Sequence, residues 1–268
     1  MSVSLIKKII KLLLSTITIS VLFLYCDSDH DQLDSNLRGY LSEVLGQYRG
    51  VDLDLQTEKE YPYCNYSIDA LISSSQQTVE VKILGIEIPN TVLPAFGSAT
   101  GNWYLGNLNG DVSLRFRYQN KLSIYNLNIS NKHISITPSI IGFTNLDTDT
   151  IFRIPTNFIW SYMVFYTVTE SLQSAIRESF LNNLRNLGAT DTLLTMGKYR
   201  HKINNNIYSC FTVNNYQILD PSGVPLYGFS YYGDTLPLKQ LLNQYHELYS
   251  DYVYIWITTW HGRRFYMW

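Results

Sequence analysis

From residue 61 to 138 apolar side chains recur at every second position. Val79, Val81 and Ile83 alternate with Glu80 and Lys82, and Val112, Leu114, Phe116 and Tyr118 with Ser113, Arg115 and Arg117. Alternation sends one set of side chains into a core and the other into water, which predicts strands. Gln119-Asn120 supplies the turn, and Leu122, Ile124, Leu127 and Ile129 carry the chain back. The apolar phase slips between Ile124 and Leu127, which predicts a bulge. Ile134 and Ile136 mark one more short strand over 133–137. Such a meander is expected to curve into a partial barrel. Gly97, Gly101, Gly106 and Gly110 predict a loop-rich stretch from 89 to 110 around one short strand at 103–105.

Elsewhere the period is longer. Leu37, Tyr40, Leu41, Val44, Leu45 and Tyr48 stand three and four apart, with Asp34 or Ser35 to cap the start and Gly50 to end it. This predicts a helix over 37–48. Trp160, Val164, Val168, Leu172, Ile176, Phe180 and Leu184 recur every four residues. They predict a long helix over 158–187, capped at Thr156 or Asn157 and closed by Gly188. Its first half is apolar all round and is expected to be buried. Short strands follow at 207–213 and 216–219, with a turn at Asp220-Pro221-Ser222-Gly223. Asp234 or Thr235 caps a helix carrying Leu238, Leu241, Leu242, Tyr245, Leu248 and Tyr249 on one stripe. A strand at 252–260 turns at His261-Gly262 into a short last strand at 265–268. The sum is an α+β domain over 36–268: a curved antiparallel sheet forming a partial barrel, one long packed helix and two shorter helices. A division near residue 155 is the alternative.

The first 25 residues read differently. Lys7, Lys8 and Lys11 precede an uncharged run over 12–26, too short for the roughly 20 apolar residues that span a bilayer. A basic start before a short apolar run predicts a secretory signal peptide over 1–25. Cys26 ends the run and is followed by Asp27, Ser28, Asp29, His30 and Asp31, an acidic tether over 26–35. In this place Cys26 resembles the acylated cysteine of bacterial lipoproteins, which implies lipidation at Cys26. The flanks differ from the usual lipobox: Phe23 stands where leucine is usual and Tyr25 where a small residue is. Cleavage after Ser28 without lipid, and a retained anchor, are the alternatives.

Composition narrows the classes. Only 16% of the 268 residues are charged, while 14% are aromatic, with 22 Tyr. A chain this apolar can afford a core, so it is not disordered. Loss of residues 1–25 removes three of 20 basic residues and leaves 17 against 22 acidic, a net charge of −5. That sign gives no bulk attraction to nucleic acid, and no nucleic-acid partner is expected. In an oxidising compartment Cys64 and Cys210 could form one disulfide, contributing roughly 4–5 kcal/mol in the chain-entropy model; two reduced thiols are the alternative.

Chemistry-bearing motifs are sparse. The five His form no H-x-x-x-H pair, and G-x-S-x-G and phosphate-binding glycine loops are missing. His246 and Glu247 would point about 100° apart on a helix, which does not suit a shared metal. No catalytic residue, metal ligand or cofactor is therefore expected. Gly101-Asn102-Trp103 is similar to the G-x-W opening of lipocalin-like barrels, but stands after at least one strand. The strongest binding signal is the last long strand, where Tyr252, Tyr254, Trp256 and Trp260 project to one side with Arg263 and Arg264 beside them. Planar rings suit an apolar or carbohydrate ligand. The expected function is thus an exported, lipid-anchored envelope or surface protein that binds without catalysis, partnered by the membrane through its N-terminal lipid. An envelope hydrolase with a scattered site and a structural envelope protein are the alternatives.

Overall fold

The computed structural model describes residues 30–46, 49–75, 77–91, 93–203, 207–215 and 217–267. Residues 1–25, expected to be a signal peptide, and Cys26 lie outside the described residues, as do Tyr48, Tyr216 and Trp268. The strands of the first half are β1 (His30–Asp31), β2 (Leu37–Leu45), β3 (Gly50–Tyr61), β4 (Ser67–Ser74), β5 (Thr78–Glu87), β6 (Gly97–Gly106), β7 (Gly110–Tyr118), β8 (Lys121–Ile129), β9 (His133–Ile140), β10 (Thr144–Leu146) and β11 (Ile151–Phe152). The second half comprises β12 (Phe158–Phe165), α1 (Glu170–Asn186), β13 (Thr190–Asp191), β14 (Gly197–Ile203), β15 (Ile207–Asn214), β16 (Gln217–Leu219), β17 (Pro225–Ser230), α2 (Thr235–Tyr249), β18 (Val253–Thr259) and β19 (Arg264–Tyr266).

Ten strands close into a barrel, and the expected curved sheet is therefore complete rather than partial. The ring runs β2–β3–β6–β4–β5–β7–β8–β9–β11–β14 and back to β2. It is not purely antiparallel: β4 pairs with β6, β5 with β7, and β14 with both β11 and β2 in parallel. The alternating apolar residues fill the interior, among them Leu53, Val79, Val81, Leu114, Phe116 and Ile134. The opposite positions, such as Glu80, Lys82, Arg117, Asn126 and Asn128, face outward. A charged outer wall suits water and not lipid. Residues 30–35 of the expected tether lie against this barrel. His30 and Asp31 pair with Glu87 and Ile86, and Leu33 N donates to Tyr118 Oη at 2.9 Å.

Three expectations change. The helix predicted over 37–48 is strand β2. Its inward set is Leu37, Gly39, Leu41, Glu43 and Leu45, so a glycine and an acid hide the alternation. Leucines four apart fit a strand as well as a helix. The helix over 158–187 divides: 158–165 is β12, and α1 starts only after Thr169, whose Oγ1 accepts from Leu172 N. β12 is apolar on both faces because it is central, with β17 on one side and β18 on the other. Two helices, not three, are thus present among the described residues. The glycine-rich stretch holds the ten-residue strand β6. The bulge expected between Ile124 and Leu127 is found on the β9 side, where the register shifts between Ile124 and Tyr125, whereas the pairing with β7 is regular and Ser123, Tyr125, Leu127 and Ile129 form one inward row. Polar atoms in that row are satisfied: Tyr125 Oη donates to Thr144 O at 2.5 Å, and Ser123 Oγ accepts from Thr144 N at 3.1 Å.

The second sheet, β13–β17–β12–β18–β19, carries α1 and α2 on one face. Ile159, Met163, Ile176, Phe180, Leu241, Leu242, Ile255 and Ile257 form the core beneath the helices. A third cluster, including Leu45, Ile154, Phe158, Trp160, Tyr199 and Phe211, fills the seam toward the barrel. The chain crosses this seam near residue 155 and returns in β14 to complete the ring. Strands from both sides of residue 155 therefore belong to the barrel.

His201 of β14 is sealed in the seam, edge-on to Trp160 at 5.2 Å and to Phe211 at 5.6 Å. Burial, assisted by the nearby Arg264 charge, pulls its pKa down to about 3. The unfolded chain binds this proton near pH 6.5, and the folded chain only near pH 3. Stability is therefore lost as pH falls between these values, by up to about 1.4 kcal/mol per pH unit. His201→Leu is expected to lose less stability than the parent between about pH 7 and about pH 4.5, measured by urea denaturation at both.

Candidate functional site

Glu43 is the one acid on the inward phase of β2, and its side chain is 1% exposed. A buried carboxylate persists only if charged partners and donors satisfy it. Arg49, in the β2–β3 turn, donates from Nε and Nη2 to Glu43 Oε1 at 2.9 and 2.5 Å. Arg153, just after β11, donates from Nε to the same oxygen at 2.7 Å. Ile154 N donates to Oε2 at 2.9 Å. The arginines are tied further to the backbone, Arg49 to Ile154 O at 2.5 Å and Arg153 to Ser130 O at 3.0 Å. One carboxylate thus sets the position of two guanidinium groups and leaves a surplus of positive charge.

Those guanidinium groups border a cleft of about 690 Å³ at the seam. Lys132 and His133, where β9 begins, add a third cation and an imidazole, and among the described residues no carboxylate lines the cleft. Phe152, Pro155, Leu193, Leu194 and Tyr199 supply its apolar wall. Gly197 (φ 142°) makes room for that wall: a Cβ there would stand 2.3 Å from the Phe152 ring. Burial pushes the Tyr199 phenol up to about 12, so it stays neutral, and its hydroxyl donates to Thr195 O at 3.0 Å. Cationic groups at one side and an apolar wall at the other define a site for an anion with an apolar body. The two guanidinium groups are largely buried, which shields them from bulk salt, whereas Lys132 is exposed.

The residues expected from sequence lie elsewhere and separate. Tyr254 and Trp256 stand on the face of the second sheet away from the helices, joined there by Tyr162 and Tyr266. Trp256 stacks on Tyr162 with centroids 4.1 Å apart, and Tyr254 flanks it at 5.7 Å and stacks on Tyr266 at 6.3 Å. The rings therefore contact one another across neighbouring strands and remain half-buried. Tyr252 is exposed before β18. Trp260 leaves the row to sit over His261, with centroids 3.6 Å apart. Arg264 Nε donates to Thr258 Oγ1 at 3.3 Å, whereas exposed Arg263 closes the turn by accepting from Thr259 N at 2.9 Å. Cys64 is exposed in the β3–β4 turn and Cys210 half-buried in β15; among the described residues no disulfide joins them. Each was placed by a different part of the fold, which sequence spacing does not show.

Arg49, Lys132, His133 and Arg153 were not legible as a group, since they come from three separate connections. The one available signal was Glu43, an acid between Leu41 and Leu45. No protein-family model matches the chain, and no curated protein or solved structure is significantly similar to it.

Replacing Glu43 by Gln would leave Arg49 and Arg153 buried without their counter-charge. The variant is expected to be destabilised by about 3–5 kcal/mol, read as a lower urea midpoint at unchanged slope.

Proposed function

We propose that the protein is an exported binding protein, anchored to the cell envelope through Cys26, that holds a small organic anion in the cationic cleft. The observation that supports this reading is the cleft itself. Fixed arginines, Lys132 and an aromatic wall meet in one cavity of a chain whose mature net charge is negative. Anion selectivity here comes from placement rather than from bulk charge. A binding role also agrees with the filled barrel, which leaves the cleft as the larger recess.

The anionic dye anilinonaphthalene sulfonate is a suitable probe, with its uncharged relative phenylnaphthylamine as control. The sulfonate is expected to bind saturably at one site, and Lys132→Gln with His133→Gln to weaken it about tenfold, or ~1.4 kcal/mol. Neither side chain bonds Glu43, Arg49 or Arg153, and an unchanged urea midpoint of the double variant checks that folding is preserved. Equal affinity for the neutral dye, or unchanged affinity in the double variant, would exclude the cleft as an anion site.

The anchor has its own test. The intact mass of the protein purified from its host membrane is expected to begin at Cys26 with attached acyl chains. A mass beginning near Asp29 without lipid would show a released protein instead.

A further inference from the structure

We infer that the barrel end carrying the β5–β6 connection faces the membrane, with its apolar side chains resting in the bilayer interface and the cationic cleft held away from it. The inference rests on the anchored reading above and adds the direction in which the molecule stands. Cys26 precedes His30 by four residues, and an extended chain covers at most ~3.6 Å per residue. An acylated Cys26 therefore lies within ~14 Å of His30. His30 is not free to wander, because β1 pairs with the last residues of β5, His30 opposite Glu87 and Asp31 opposite Ile86. The lipid attachment point is thus leashed to the end of β5.

That end is where the barrel exposes large apolar side chains. Directly after β5, Ile88 is 42% exposed, Leu93 52% and Phe96 77%. Ile140 and Ile141 at the end of β9 are exposed as well, and single apolar residues, Leu71 on β4 and Tyr104 on β6, face outward along the wall. The connection is held in place from below: Asn65 Nδ2 donates to Thr91 O at 2.7 Å, and Leu93 N donates to Asn65 Oδ1 at 3.0 Å. The apolar side chains are thereby presented as a surface instead of collapsing onto the barrel. Acyl chains at Cys26 would hold the protein to the membrane, and an apolar protein contact beside them would fix the direction in which it stands.

The same geometry places the cleft. β3 begins beside Arg49 and ends at Tyr61, which pairs with Gly97 at the start of β6. β3 carries an irregularity between Gln56 and Glu60 that adds two residues, so its nine remaining steps, at ~3.3 Å each, separate the two ends by roughly 30 Å. The ligand site therefore opens toward the aqueous side, where a soluble anion reaches it without crossing the headgroup layer.

Cys64 is a native reporter for this surface. It is exposed in the β3–β4 turn, and a Cβ at Gly97 would lie 2.8 Å from its own Cβ. The experiment uses the full acylated chain carrying Cys210→Ser, labelled at Cys64 with nitrobenzoxadiazole and reconstituted in phosphatidylcholine vesicles. The emission is expected to shift to the blue and rise several-fold relative to the same protein in dilute detergent. The same label on Lys132→Cys, at the cleft, in a chain that also carries Cys64→Ser and Cys210→Ser, is expected to show no such change. Leu93→Ser with Phe96→Ser is expected to abolish most of the Cys64 response while leaving the acyl chains in place. An acylated protein whose Cys64 label stays water-like, or whose Lys132→Cys label shifts instead, would overturn the orientation and leave the anchor intact. A mature chain without lipid in the mass spectrum would overturn both.

Discussion

The buried carboxylate of Glu43 is the interaction on which the architecture turns. It sits on the inward phase of β2, where a leucine would keep the barrel core continuous. An ion there is tolerated only because three donors from two other segments close around it. Those segments are the β2–β3 turn and the passage from β11 to β12. The first belongs to the barrel alone, and the second is the route by which the chain leaves it. Satisfying one charge therefore fixes where the second sheet starts. Replacement by an apolar residue of similar volume would fill the space but would not specify the crossing. The ion contributes geometry more than stability.

β14 is the second constraint. It belongs to the C-terminal half in sequence and to the barrel in space, pairing with β11, β2 and β15. Its charged side chains are matched from across the sheet: Lys202 pairs with Asp52 at 2.8 Å and with Asp54 at 2.7 Å, and Arg200 with Asp147 at 2.6 Å. Its other face supplies Tyr199 and His201 to the seam. One strand thus closes the barrel, buries the seam and forms part of the cleft wall. This explains why the recess lies at the junction of the two layers. A closed barrel filled by its own side chains has no room for a ligand, whereas two curved surfaces meeting along a line leave a cleft beside the line.

The aromatic richness of the chain acquires a structural role in this arrangement. Tyr162, Trp256, Tyr254 and Tyr266 form a ladder across three strands of the second sheet, each ring flanked by another. Offset and tilted pairs of this kind contribute about 0.5–1.5 kcal/mol each beyond the area they bury. The face away from the helices is stiffened by ring against ring, without a third layer over all of it. The last strand was expected to carry the ligand site for the same rings. Tyr162 on the neighbouring strand β12, in a stretch whose four-residue period predicts a helix, brings a further ring to that row.

Several features follow from the amino-acid sequence alone. The alternation through β5 and β7, the turn at Gln119-Asn120, the helix capped at Asp234, the glycine stop at 188 and the strong strand β18 are local patterns, governed by the two or four nearest residues. The charged spacer and the basic, apolar start are equally local. Tertiary structure decided the rest wherever local signals were ambiguous. Leucines four apart in β2 satisfied both periods until a partner strand and a buried glutamate imposed period two. The all-apolar stretch 158–165 fitted a buried helix as well as a central strand, and only its neighbours β17 and β18 made it a strand. The cleft was invisible in sequence because Arg49, Lys132 and Arg153 are about a hundred residues apart at the extremes. Charges so separated converge only when a closed ring of strands brings their connections together around a single acid.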